Sequence, residues 1–110
     1  MAQRATAALA SGERLVLSSV VAAECVYVLD SVYGVDPHGV STLLRAVIGF
    51  PAIDTPEHAI LLRALEIYEL ERLDFADAYL AASADLTGVN NVLSFDRGLD
   101  RVQGITRREP

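Results

Sequence analysis

Four carboxylates in this chain have the placement that hard-cation chemistry needs: Glu24, Asp74, Asp77 and Asp96. Glu24 interrupts the apolar run VVAAECVYVL at 20–29, where helical spacing puts Val20, Val21, Tyr27 and Val28 on its face. A carboxylate on an apolar helix face is costly unless a cation or hydrogen-bond donors meet it. The plainer reading is a Glu at the rim of the stripe that reaches water. Asp74 and Asp77 are spaced i, i+3 beside the small residues Ala78, Ala81 and Ala84. Here the plainer reading is a helix N-cap and a first-turn acid that suits the helix dipole. Asp96 lies in the turn FDRG, a setting that local hydrogen bonding alone favours. Asp100, one helical turn on, reads as a solvated surface acid.

Acids from separate elements at one sheet edge could hold Mg²⁺ or Mn²⁺, which take oxygen ligands and keep several waters. Such a centre can activate water and stabilise an in-line displacement at phosphorus. Spacing leaves open whether these acids converge. Composition sets the surroundings. The chain has 110 residues, 52% of them apolar, with nine basic residues (all Arg), 15 acids and a net charge of −6. That balance argues against a broad basic face for nucleic acid and suits a local acidic pocket. The length is that of one domain with a single core. The lone Cys25 excludes an internal disulfide and fits a reducing compartment. Two histidines are too few for a usual zinc site. No apolar run is long enough to span a bilayer, and the N-terminus does not read as a signal peptide.

The elements that must position the acids follow from pattern and punctuation. A short helix is expected over 2–10, stopped by Ser11-Gly12, then a buried strand over 14–17. Ser18 or Ser19 caps a helix to about Tyr33, which Gly34 ends. Asp36-Pro37 opens a second helix to about Phe50, and Ala52-Ile53 forms a short strand. Thr55-Pro56 opens a third helix to about Arg72, and Asp74 caps a fourth that ends at Gly88. A strand over 91–95, a helical turn over 98–102 and a last strand at Ile105-Thr106 complete the reading. Strands alternating with helices indicate an α/β architecture with a mostly parallel sheet, although three or four strands are few for five helices. Ligands in such sheets bind beyond the carboxyl ends of the strands, where the acids fall. Cys25 and Phe50 read as core, the tyrosines as core or interface, the two histidines as exposed residues near helix starts, and Arg107-Arg108 as a short basic tail.

The string Asp74-Phe75-Ala76-Asp77-Ala78-Tyr79-Leu80-Ala81-Ala82, then Gly88, then Val92-Leu93-Ser94-Phe95-Asp96-Arg97, resembles the C-terminal half of a PIN domain. Upstream, Leu17-Ser18-Ser19-Val20-Val21-Ala22-Ala23-Glu24 resembles the segment carrying that family's second acid. The match is nearest to the VapC-like toxin branch. The resemblance implies a three-layer α/β fold with a central parallel sheet flanked by helices. It also implies a cytoplasmic Mg²⁺- or Mn²⁺-dependent endoribonuclease, commonly a toxin held by a cognate antitoxin and often a homodimer. Carried over by position, Glu24 is the second acid, Asp77 the third, Asp96 the fourth and Asp74 a frequent extra acid. Ser94 matches a small hydroxyl residue two before the last acid, and Arg97 stands beside it as site support.

One departure accompanies the match. The family opens with an apolar strand ending in Asp, and nothing here corresponds to it. Residues 1–110 are therefore expected to form one N-terminally truncated domain without the first central strand, not stable and active as a monomer. The rival function is a catalytically inactive remnant that binds an antitoxin or a sibling subunit. A receiver-like phosphoryl-transfer domain is disfavoured, because such domains usually need a catalytic Lys and this chain has none.

Overall fold

A computed structural model describes residues 12–110, together with Arg4 and Ala7. The helix expected over 2–10 lies, apart from those two residues, outside the described ones. The fold is α/β and mostly helical. In chain order its elements are β1 (Leu15–Val16), α1 (Ser19–Tyr27), α2 (Pro37–Ile48), β2 (Ile53–Asp54), α3 (His58–Glu71), α4 (Phe75–Thr87), β3 (Asn91–Leu93), a 3₁₀ helix (Arg97–Arg101) and β4 (Thr106–Arg108).

The described strands form two separate parallel pairs. In one, Leu15 lies opposite Ile53 and Val16 opposite Asp54, with Leu17 N–H donating to the Asp54 carbonyl at 2.8 Å. In the other, Asn91, Val92 and Leu93 lie opposite Thr106, Arg107 and Arg108. No ladder joins the pairs among the described residues. Each pair therefore has an open edge. Val16 on β1 and Leu93 on β3 are 71% and 66% exposed.

Helix caps act largely where the sequence puts them. The Ser18 hydroxyl accepts from Val21 N–H at 3.2 Å, and Asp36 accepts from Gly39 N–H at 3.1 Å. Gly88 ends α4 at φ 79°, a left-handed conformation that needs no Cβ. The first helix differs from expectation. Its α-helical part stops at Tyr27, and Val28–Val32 continue as a π-helical turn with Tyr33 N–H donating to the Val28 carbonyl. The wider turn inserts extra chain per turn. Asp30, within it, accepts from the Tyr68 hydroxyl at 3.0 Å. The third helix also differs: it begins at His58, because the chain around Thr55-Pro56 turns first and the Glu57 carboxylate is used elsewhere. Arg72 closes α3 in the left-handed region at φ 54°.

The core is built by α3 packing on α4. Leu61, Ala64, Leu65 and Tyr68 from α3 meet Phe75, Ala78, Ala81 and Ala82 from α4, all buried. The alanines let the helix axes approach closely, and Tyr68 meets Phe75 edge-on with ring centroids 6.1 Å apart. Val40, Leu44 and Ile48 of α2 add the next layer at four-residue spacing. Three expectations need correction. Phe50 is 45% exposed, since Pro51 turns the chain before its ring can reach the core. Cys25 is only partly buried, at the edge of α1's packed face. Arg107 is no solvated tail: it sits in β4, pairs with Asp100 and Glu109, and donates to the Ser94 carbonyl.

Burial predicts a sharp contrast within α3. Leu61→Ala, at a fully buried position, should cost about 2–5 kcal/mol of unfolding free energy. Leu70→Ala, on the exposed side, should stay within about 0.5 kcal/mol of the parent chain in urea denaturation.

Candidate metal centre

The first turn of α4 and the end of β3 bring three carboxylates together. Asp74, Asp77 and Asp96 each offer an oxygen, and these atoms lie within 4.8 Å of one another. Asp74 occupies the N-cap position of α4, but its side chain makes no capping hydrogen bond. The carboxylate turns toward its two fellow acids instead. Asp77 is half-buried in the same turn. Asp96 follows β3 and opens the 3₁₀ helix, where Gly98 N–H donates to its Oδ1 at 2.8 Å. A Cβ at Gly98 would lie 2.7 Å from Leu73 Cδ2, so any side chain there would push the Leu73 side chain aside.

Ser94 links the acids. Its hydroxyl oxygen accepts from Asp96 N–H at 3.0 Å, and the Ser94 hydroxyl also favours the ionised form of Asp77. Arg97 is exposed beside Asp96, with no hydrogen bond or ion pair among the described residues. The cations that act on Asp96 are Arg101 and Arg107, neither of which the sequence singled out for this role. Arg101 also donates to the Glu71 carbonyl at 2.7 Å, tying the 3₁₀ helix to the end of α3.

The cluster splits the titration of its members. Burial, and then the hydrogen bond and negative charge of Asp96, push the Asp77 carboxyl up to about 6. The hydrogen bond with Asp77, and then the Gly98 N–H, hold Asp96 below the ordinary aspartate range. The two carboxyls titrate as a pair, so that Asp96 ionises first and Asp77 only at higher pH. Three acidic oxygens within 4.8 Å of one another suit a hard divalent ion: the donors are all oxygen and their charge calls for neutralisation.

Glu24 lies elsewhere. It is exposed on α1 and lines an apolar cleft of about 460 Å³ with Leu17, Val21, Cys25, Val28, Leu43 and Val47. The helix phase is the reason: Ala23 turns toward α4, and Glu24 turns about 100° away toward α2. A second polar group went unnoticed in the sequence. Glu57 Oε1 accepts from the Ser19 hydroxyl at 2.5 Å and from the Tyr79 hydroxyl at 2.6 Å. The three residues are up to 60 positions apart, so no local pattern could announce them.

With this geometry in view, the comparison with known families is direct. Residues 1–105 match the model of the PIN domain, and the chain belongs to the PIN-domain family. Domains of this family are three-layer α/β folds, and the helices and small parallel strand pairs here are compatible with that. The family's function is of the nuclease type, generally with divalent metal ions. No curated protein and no solved structure matches the chain. Among the described residues, no helix is long and apolar enough to cross a membrane.

The raised Asp77 carboxyl sets a pH dependence for the metal-free chain. Its folded pKa lies above its unfolded value, so its contribution is fully present below about pH 4 and lost as pH rises through about 6. Asp96 is shifted the opposite way and contributes above its unfolded value. Asp77→Asn should therefore stabilise the chain in EDTA at pH 7–8 by the order of 1 kcal/mol after solvent screening, a Tm rise of about 4–8 °C. The gain should vanish in thermal melts below about pH 4.

Proposed function

We propose that this chain is a divalent-cation-dependent endoribonuclease of the PIN type, the toxin of a toxin–antitoxin pair. The observation that carries the reading is the convergence of Asp74, Asp77 and Asp96 within 4.8 Å in a chain of a nuclease family. These three acids would hold Mg²⁺ or Mn²⁺. When bound, the cation supplies Lewis-acid polarisation of a phosphodiester and a lowered pKa for water. The chain's own residues do the rest. Asp77 is ionised, and so able to ligate, only above about pH 6, where cation binding would therefore be favoured. Ser94 fixes the turn that presents Asp96, its hydroxyl oxygen accepting from Asp96 N–H. Arg97, exposed beside Asp96, is the guanidinium available to a substrate phosphate. Glu24 enters this reading through the resemblance alone, since it lies apart from the cluster.

RNA is the substrate the reading favours. With 15 acids against nine Arg, the chain cannot hold a polyanion by charge over its surface. Binding then depends on the cation and on contacts to bases, which single-stranded RNA presents. An antitoxin or a second copy of the chain would cover apolar surface, and α1 and α2 expose Val20, Val21, Tyr27, Leu43 and Val47. Single, partly buried Cys25 agrees with a cytoplasmic setting. The second reading, an inactive remnant that binds an antitoxin or a sibling subunit, draws on the same exposed residues and on the distance of Glu24 from the cluster.

Cleavage of a fluorescent single-stranded RNA decides between them. The nuclease reading expects Mn²⁺- or Mg²⁺-dependent cutting that EDTA abolishes, with Asp96→Asn lowering the rate at least about a hundredfold. Glu24→Gln should lower it comparably if that acid takes part. Cutting that persists in EDTA, or is untouched by Asp96→Asn, rejects the reading. No cutting under any cation favours the binding remnant.

A further inference from the structure

Between α1 and α4 lies a cleft of about 510 Å³, within the range of small-ligand sites. Its walls are apolar, formed by Val20, Ala23, Phe75, Ala76 and the ring of Tyr79. Its polar end is built by Ser18, Ser19 and Glu57. The Glu57 carboxylate is held from two sides: both the Ser19 and the Tyr79 hydroxyls donate to Oε1. These bonds also hold the Glu57 carboxyl below its ordinary range. Oε2 has no partner among the described residues, and a carboxylate oxygen accepts about two hydrogen bonds. The Ser18 oxygen accepts from Val21 N–H, which leaves its proton to give. The cleft thus has apolar walls, a fixed acceptor in Glu57 and a hydroxyl donor in Ser18.

A second hollow, of about 350 Å³, lies beside this cleft. The two hollows adjoin at Ala23, Phe75 and Ala76, with Glu57 lining one and Asp74 the other. We propose that the Glu57 end of the first cleft is a base pocket selective for guanine, on the same side of α4's first turn as Asp74. This deepens the ribonuclease reading and rests on it for the identity of the polymer. The chemistry selects the base. Guanine carries two adjacent N–H donors, N1–H and the N2 amino group, beside the O6 acceptor. Glu57 Oε2 takes the donors and Ser18 gives to O6. Adenine and cytosine offer one donor group on the same edge, and uracil a single N–H between two carbonyls. The ring of Tyr79 and the apolar walls take the faces of the base, as in recognition of unstacked RNA.

A merely structural tie between α1, α3 and α4 would look similar, and Glu57→Gln separates the two roles. The amide oxygen still accepts from Ser19 and Tyr79, while the other position becomes a donor. The test is an NMR titration of the full chain in EDTA with guanosine, adenosine, cytidine and uridine, following the amides of Ser19, Glu57 and Tyr79. Guanosine should move these signals and bind about tenfold or more tightly than the others. Glu57→Gln should keep a dispersed spectrum and lose that preference by about the same factor, shifting toward adenosine. Ala76→Leu, which fills the cleft, should remove binding of all four nucleosides. The proposal is overturned if no nucleoside moves those amides, if all four bind alike, or if Glu57→Gln keeps the guanosine preference. Because the titration needs neither cation nor cleavage, the two readings fail separately. A chain that binds guanosine but never cuts RNA loses the nuclease reading. A chain that cuts RNA without binding guanosine loses the pocket.

Discussion

Holding Asp74, Asp77 and Asp96 within 4.8 Å in a chain of net charge −6 opposes folding, because each ionised oxygen raises the energy of the next. The surrounding structure must fix the acids against that repulsion. On one side this is achieved by the α3–α4 interface, whose buried alanines let α4 lie close enough for its first turn to be rigid. On the other side, β4 clamps β3, and Arg107 spans from β4 to the Ser94 carbonyl and to Asp100. The repulsion appears in the titration: the Asp77 carboxyl is raised to about 6 while Asp96 is held below the ordinary aspartate range.

The strands contribute position more than stability. Two parallel pairs of two or three residues cannot form a large hydrophobic layer, and the exposed Val16 and Leu93 lie on strands that lack a second neighbour among the described residues. The helices supply the core, from Val40 and Leu44 on α2 through Leu61 and Leu65 on α3 to Ala78 and Ala81 on α4. The strands set where chain turns occur: Ser18 follows β1, Thr55 follows β2 and Ser94 follows β3. Ser18, Ser94 and, after the turn beyond β2, Glu57 carry polar groups in or beside the α1–α4 groove and the acid cluster. That agrees with the general placement of ligands beyond the carboxyl ends of parallel strands.

Glu24 shows how a helix divides function between its flanks. One residue earlier, Ala23 lines the groove shared with Phe75 and Ala76. Glu24 itself faces the apolar cleft against α2. The small side chain at 23 keeps the groove open, and the charged one at 24 stands among valines and leucines with water on its other side. The exposed stripe of α1 and the acid cluster of α4 are therefore separate surfaces, linked by one short helix.

Much of the local structure was legible in the residues. Ser18, Asp36 and Gly88 mark helix ends because capping and left-handed turns depend on a few adjacent atoms. The parallel α/β character and the candidacy of Asp74, Asp77 and Asp96 were readable from type and order. The use of those groups was not. Asp74 stands at a cap position yet makes no capping hydrogen bond, and its carboxylate meets those of Asp77 and Asp96 only because folding brings the end of β3 to the first turn of α4. The Glu57–Ser19–Tyr79 contact joins three distant segments, and Arg107 leaves an apparent basic tail to brace a strand. Phe50 is exposed because a chain reversal at Pro51, rather than its hydrophobicity, sets its direction. Propensity and capping act over a few residues and can be read along the chain. Convergence of charges, and the burial or exposure that follows from it, depends on packing between elements that are adjacent only after folding.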